Sequence, residues 1–246
     1  MHSFLLVGQS NMAGRGFMEE AHNIDVSRIF TLRNGRWQQM FRPINPDRSF
    51  SGVNLAESFA EAYAKKYDVN VGLICCADGG TSLEQWKPDD VLFENAIHQA
   101  KLAMRSSEIV GILWHQGEND CCETSYPTYK ERLEDLIKAF RQALGNKNLP
   151  FLLGGLGDFL AVCDEDESLK NYIYINDALK DIAQNNDNTE FISAEGLNAN
   201  PDNLHFNSEA LYEFGIRYFE GLEKLGINLS KENIEEDIKR SKIELL

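Results

Sequence analysis

Phe4-Leu5-Leu6-Val7-Gly8-Gln9-Ser10-Asn11-Met12-Ala13-Gly14 is the stretch on which the fold reading turns. Four consecutive apolar residues, without the alternation of a half-solvated strand, describe a strand buried on both faces. Such strands belong to parallel sheets covered by helices on either side. The run then gives way at once to glycine and polar residues, as at the carboxyl end of a strand in an open α/β sheet, where ligands bind.

Four further runs of strand length follow at 69–75, 109–114, 151–153 and 190–193, so the sequence predicts a five-stranded parallel sheet. Helical spacing fills the intervals. Asn54 stands as an N-cap before Leu55, Phe59, Ala62 and Tyr63, and Tyr129, Leu133, Leu136, Ile137 and Phe140 form a second stripe ending before Gly145. Further stripes cover 91–104, 168–183 and 208–225. Alternation of this kind predicts right-handed βαβ crossovers and a three-layer α/β/α sandwich. Two segments depart from it. Ile29, Phe30 and Leu32, then Asn34-Gly35, then Trp37 predict a hairpin inserted after the first unit. The tail, with Ile234, Ile238 and Leu245 among mixed charges, predicts an appended helix. The domain reading is one unit over 1–226 with that tail, 227–246, packed back on it or against a second subunit, so a homo-oligomer stays open.

Composition narrows the partners. In 246 residues, 43% hydrophobic and 26% charged with 6 Pro, there is a full-sized globular domain and no disordered or coiled-coil signature. Asp and Glu outnumber Lys and Arg 39 to 24, a formal charge of −15, which opposes phosphate binding and so a nucleic-acid partner. No run approaches the roughly 18 apolar residues of a membrane span, and the opening residues lack the features of an export signal. Cys75, Cys76, Cys121, Cys122 and Cys163 are odd in number, include two adjacent pairs and show no metal-ligand spacing, which reads as reduced thiols in a cytoplasmic protein.

The segments after the strand runs carry the chemistry. Ser10, directly after the first run, is placed either as an acyl-transfer nucleophile at the sheet edge or as a simple helix cap. Asp202-x-x-His205 sits in a Pro201-led loop near the chain's far end. Asp202 can orient the imidazole that takes the Ser10 proton, or it can merely cap the following helix. Gly79-Gly80 permits close approach of backbone to a substrate, and Gln116 or Asn119 supplies a side-chain amide, so with the Ser10 N–H three donors can converge on an oxyanion. Competing chemistries lack their signatures. There is no P-loop, Gly155-Leu156-Gly157 lacks the third glycine of a dinucleotide fingerprint, and Met12 occupies the place of the second glycine of a nucleophile elbow. No cofactor and no metal are expected.

Four ordered blocks resemble a known group: Gly8-Gln9-Ser10-Asn11-Met12-Ala13-Gly14, Gly79-Gly80-Thr81 with Trp86, Trp114-His115-Gln116-Gly117-Glu118, and Asp202-x-x-His205. Together they resemble the SGNH hydrolase superfamily, and within it sialate O-acetylesterase-like domains and family 6 carbohydrate esterases of acetylxylan type. The resemblance implies a flavodoxin-like fold and removal of acetyl groups from carbohydrate hydroxyls through an acyl-serine, without a metal. It implies Ser10 as nucleophile, His205 as general base and Gly80 as an oxyanion donor. Gln116 matches the amide donor, and Asn119, in Gly117-x-Asn119-Asp120, matches a rival one. For the triad acid it offers Asp202 first and Glu118 second. Gln9, Asn11 and Trp86 are carried as further substrate-site candidates, and Trp37 and Phe50 as aromatic faces for a sugar ring. The expected partner is an acetylated carbohydrate, neutral xylo-oligosaccharide before anionic sialic acid, because the net charge repels an anion. A carbohydrate-binding module without catalysis is the reading from another class.

Overall fold

A computed structural model of the chain describes residues 1–164 and 166–226, so the predicted tail helix lies outside the described residues. The strands are β1 (His2–Gly8), β2 (Ile29–Arg33), β3 (Arg36–Gln39), β4 (Val71–Cys75), β5 (Glu108–His115), β6 (Phe151–Gly154) and β7 (Thr189–Ile192). They form a single sheet in the order β3-β2-β4-β1-β5-β6-β7. All neighbours pair in parallel except β2 and β3.

The sheet thus has seven strands where the apolar runs suggested five. The two additional strands come from the hairpin. Asn34 and Gly35 both have positive φ, 52° and 71°, which is the two-residue turn that matches strand twist. Its first strand extends the sheet by pairing with β4, Ile29 opposite Val71, instead of standing apart as an insertion. Its second strand closes the edge. The Trp37 ring covers Gly72, where a side-chain carbon would come within 2.5 Å of it.

The helices are α1 (Ser10–Ala13), α2 (Leu55–Tyr67), α3 (Val91–Ala103), α4 (Tyr126–Ala143), α5 (Tyr172–Asn185) and α6 (Ser208–Lys224). Period-two alternation along β1 separates the two sides of the sandwich. Leu5 and Val7 face α3, α4 and α5 through Phe93, Ile97, Leu133, Phe140, Ile175 and Leu179. Phe4 and Leu6 face α2 and α6 through Phe59, Tyr63, Leu211 and Phe214. Each such fully buried large side chain contributes roughly 1.5–3 kcal/mol. Asn54 caps α2 as its sequence predicts: its side chain accepts from Ala56 N at 2.8 Å, and Glu57 reaches back to Asn54 N at 3.1 Å. The stripe over 168–183 divides, because residues 167–171 form a tighter turn before α5 begins at Tyr172. That turn is tied to the segment after β5 by Asn171, which donates to the Cys121 carbonyl at 2.9 Å. The five cysteines are unpaired, and no helix among the described residues is long and apolar enough to cross a membrane.

Candidate active site

The carboxyl ends of β1, β4 and β5 meet at one edge. β1 leaves the sheet at Gly8, whose φ of 132° no ordinary side chain accepts and whose Cβ would lie 2.1 Å from the His115 carbonyl oxygen. Gln9 N then donates to that carbonyl at 2.9 Å, so the chain turns sharply at the end of β5. Ser10 opens α1 immediately afterwards. The Met12 and Ala13 N–H groups close on Gln9 O, while no acceptor holds the Ser10 N–H among the described residues.

The Ser10 hydroxyl lies 3.0 Å from Nε2 of His205, and Nδ1 of His205 lies 2.8 Å from Oδ2 of Asp202. An ionised carboxylate only accepts, so Nδ1 carries a proton and Nε2 is the ring atom free to accept from Ser10. The other carboxylate oxygen, Oδ1, accepts from the backbone N–H of Leu204 at 2.9 Å and of His205 at 3.0 Å. Burial pushes the Asp202 carboxyl up, but the bonds from His205 and Leu204 outweigh it and hold the group below the usual carboxylate range. Asp202 is therefore an anion held by its own loop, facing the ring it orients.

Glu118, the other carboxylate considered for that place, is elsewhere. It is buried, accepts from Asn11 Nδ2 at 2.6 Å and faces His115 Nδ1 at 3.7 Å. Burial pushes the His115 imidazole down, against the raising influence of Glu118, and its Nε2 meets the Gly155 carbonyl at 3.1 Å.

Among the donors, the geometry separates Asn119 from Gln116. Asn119 lines the cleft and donates from Nδ2 to Gly80 O at 2.7 Å, which leaves its second amide hydrogen free. Gln116 is fully buried; its Nε2 donates to Asp120 at 2.7 Å and to Thr81 O at 3.1 Å, and its oxygen accepts from Tyr129. It supports the Gly-Gly loop from below and does not reach the cleft. The peptide groups of that loop are nearly all paired: Gly79 N with Asp47 at 2.9 Å, Gly79 O with Arg48 at 2.7 Å, Gly80 O with Asn119. The Gly80 N–H has no acceptor among the described residues, and Gly80 itself has φ 76°.

Three other candidates divide in the same way. Gln9 lines the cleft, its amide in a network with Gln116, Thr81 and Glu118. Asn11 does not line it; apart from Glu118 its amide donates to Leu204 O at 3.2 Å and accepts from Phe206 N at 3.1 Å, which fastens the peptides on either side of His205. Trp86 is wholly buried against Trp114 with its indole N–H on Thr81 Oγ1 at 3.0 Å, so it presents no face to a sugar. Trp37 is at the far sheet edge. Phe50 does reach the cleft, 66% exposed, with its ring 5.2 Å from the Arg15 guanidinium.

The cleft has a volume of about 500 Å³, within the ordinary range for small-molecule sites. Part of its wall comes from residues without a motif. Buried Arg15 makes a two-pronged pair with Asp47, at 3.0 and 2.7 Å, and Arg48 bonds Asp78 Oδ1 and Asp47 O, both at 2.8 Å. Asp47, raised by burial but lowered further by Arg15, Ser51 and the Gly79 N–H, sits below the usual carboxylate range. A Pro46-Asp47-Arg48-Ser51 pattern between strands is the sequence signal closest to them, and it is a weak one. Among the described residues no cluster of three or more His, Cys, Asp or Glu side chains is arranged to hold a metal.

Residues 1–224 match the family model described as carbohydrate esterase, sialic acid-specific acetylesterase. The chain belongs to that family. Its members are carboxylic ester hydrolases acting on acetylated carbohydrates. A probable carbohydrate esterase of Arabidopsis thaliana is 27% identical over 236 residues, covering 87% of this chain and 86% of the relative. A solved Arabidopsis thaliana structure superposes with a TM-score of 0.78 at 24% identity, over 91% of this chain and 98% of that one. NanS superposes with a TM-score of 0.69 at 16% identity, over 91% and 96% of the two chains. These last two likenesses speak to the fold, which they share with a wider set of lipases and acylhydrolases.

Proposed function

We propose that the protein is a serine esterase that removes O-acetyl groups from carbohydrates through an acyl-serine intermediate. The observation that supports this reading best is the continuous chain Ser10 Oγ, His205, Asp202, at 3.0 and 2.8 Å, on the wall of the cleft. His205 Nε2 takes the Ser10 proton as Oγ attacks the acetyl carbonyl carbon. Asp202 stabilises the imidazolium so formed. The Ser10 and Gly80 N–H groups with Asn119 Nδ2 receive the negative charge that develops on the carbonyl oxygen. The imidazolium then gives its proton to the departing sugar oxygen, and water, deprotonated by the same ring, releases acetate from Ser10.

The substrate we favour is a neutral acetylated oligosaccharide of xylan type, bound with a ring against Phe50. Both cleft arginines are matched by carboxylates, Arg15 by Asp47 and Arg48 by Asp78, and Glu118 and Asp166 add further carboxyl groups to the wall. Such a wall offers no surplus positive charge to a sialate carboxylate. The second reading, a sialic acid ester, is favoured by the family description. Assaying acetylated xylo-oligosaccharides beside acetylated sialic acid distinguishes the two: the neutral substrate should have the larger kcat/KM, and the reverse order would exchange the readings. A serine-directed phosphonate should attach at Ser10, and an unlabelled protein would contradict the covalent mechanism.

A further inference from the structure

We infer that Arg48 is a positioning residue that fixes the Gly79–Gly80 peptide with its N–H toward the oxyanion site; this rests on the esterase reading above. The amide carbonyl of Gly79 and the N–H of Gly80 belong to one planar trans peptide and point in opposite directions. Arg48 Nη2 holds the carbonyl at 2.7 Å, so the N–H is directed to the other side of the plane. Nothing intrinsic to the chain would keep it there. Two consecutive glycines lack the Cβ contacts that resist rotation of the intervening peptide, and around Gly80 there is open space where a Cβ would stand. A rotated peptide would turn its carbonyl oxygen toward the developing oxyanion and place the Gly80 N–H against a guanidinium, donor against donor.

The guanidinium is itself held in place. Nη1 bonds Asp78 Oδ1 and Asp47 O, each at 2.8 Å, and Asp47 Oδ2 accepts the preceding N–H, that of Gly79, at 2.9 Å. Asp47 is clamped in turn by Arg15 and by Ser51 Oγ at 2.7 Å. On the following side Asn119 fixes Gly80 O. The peptides before and after are thus anchored, and Arg48 supplies the anchor for the one between. Because its charge lies on the carbonyl side, it also polarises that peptide and strengthens the N–H as a donor. With a side chain 42% exposed, Arg48 contributes little to the core, so its replacement should leave the fold intact.

The test compares Arg48→Met, Arg48→Ala and Ser10→Ala in the full chain, using an acetyl ester substrate and a simple alkylboronic acid, which forms a tetrahedral adduct on a serine. Arg48→Met should lower kcat by about 10²-fold, the scale of losing one oxyanion donor, with KM within about threefold of the parent. Boronate affinity should weaken in parallel with kcat/KM, while product-sugar affinity should stay level. Added guanidinium chloride at millimolar concentration should restore part of the kcat of Arg48→Ala and leave the parent unaffected. If Ser10→Ala is inactive while Arg48→Met keeps the parent's kcat and boronate affinity, the positioning role is overturned and the esterase reading stands. If Arg48→Met raises KM alone, Arg48 binds substrate instead, which also overturns it. If Ser10→Ala remains active, both fall together.

Discussion

His205 Nδ1 donates to Asp202 Oδ2 across 2.8 Å within a single four-residue loop, so the proposed base and its carboxylate partner are fixed by the same short segment. Removing the charge while keeping the shape should therefore leave the ring in place but in the wrong tautomer. Asp202→Asn is expected to lower kcat by about 10³- to 10⁴-fold with little change in KM. Glu118→Gln, whose partner is Asn11 and not His205, should lose far less. Steady-state kinetics of the two variants decide between the carboxylates. Equal losses, or a larger one in Glu118→Gln, would transfer the orienting role to Glu118.

Asn11 joins the turn that carries Ser10 to the loop that carries His205 through bonds to Leu204 O and Phe206 N. Asn11→Ala leaves Glu118 and both peptide groups without their partner in a buried setting, which costs about 1–3 kcal/mol for each unsatisfied group. Denaturant unfolding should show a lowered midpoint. The kcat should drop as well, because Ser10 and His205 lose their common anchor; an unchanged midpoint would mean that water replaces the amide without loss.

What the sequence made legible follows from local pattern. Short, largely apolar runs placed five of the strands, and the blocks after them supplied Ser10, Gly80, Asn119, Asp202 and His205, which line or adjoin one cleft. The remaining two strands were visible as a hairpin, but the pairing of Ile29 with Val71 spans more than forty residues and leaves no local trace. Gln116, Asn11 and Trp86 sit in the same blocks as residues that reach the cleft. Whether a side chain points up into the cleft or down into its support depends in good part on partners from distant segments: the Thr81 carbonyl draws Gln116 inward, and Leu204 and Phe206 hold Asn11. Asp47 and Arg48 had only a weak local signal for the same reason, since their meaning lies in Gly79, more than thirty residues on.

Acid should weaken the fold through the depressed carboxylates. Asp47 and Asp202 have folded pKa values below their ordinary range, so each binds protons more readily when unfolded. Their contribution is present above the unfolded carboxylate value of about 3.9 and is lost as pH falls toward the folded values. The unfolding free energy is expected to be level above about pH 5 with respect to these groups and to decline below about pH 4. Asp47→Asn should show a shallower acid decline than the parent by urea unfolding at stepped pH. Parallel declines would remove Asp47 as a source of the effect.

Phe50 is two-thirds exposed, lines the cleft and lies outside the buried core. Phe50→Ala should raise KM for acetylated xylo-oligosaccharides by roughly three- to tenfold, about the free energy of one aromatic contact, and leave hydrolysis of a small acetyl ester without a sugar unchanged. A uniform effect on both substrates would show that the ring shapes the site and does not receive the sugar.

The most direct measurement is hydrolysis of acetylated xylo-oligosaccharide by Ser10→Ala, with circular dichroism to show that the variant is folded. Ser10 Oγ is the atom that His205 faces at 3.0 Å, and no other hydroxyl is held by that imidazole among the described residues. Loss of at least about 10³-fold in kcat is the expected result. Retention of most of the parent's activity in the folded variant would contradict a serine mechanism at this site.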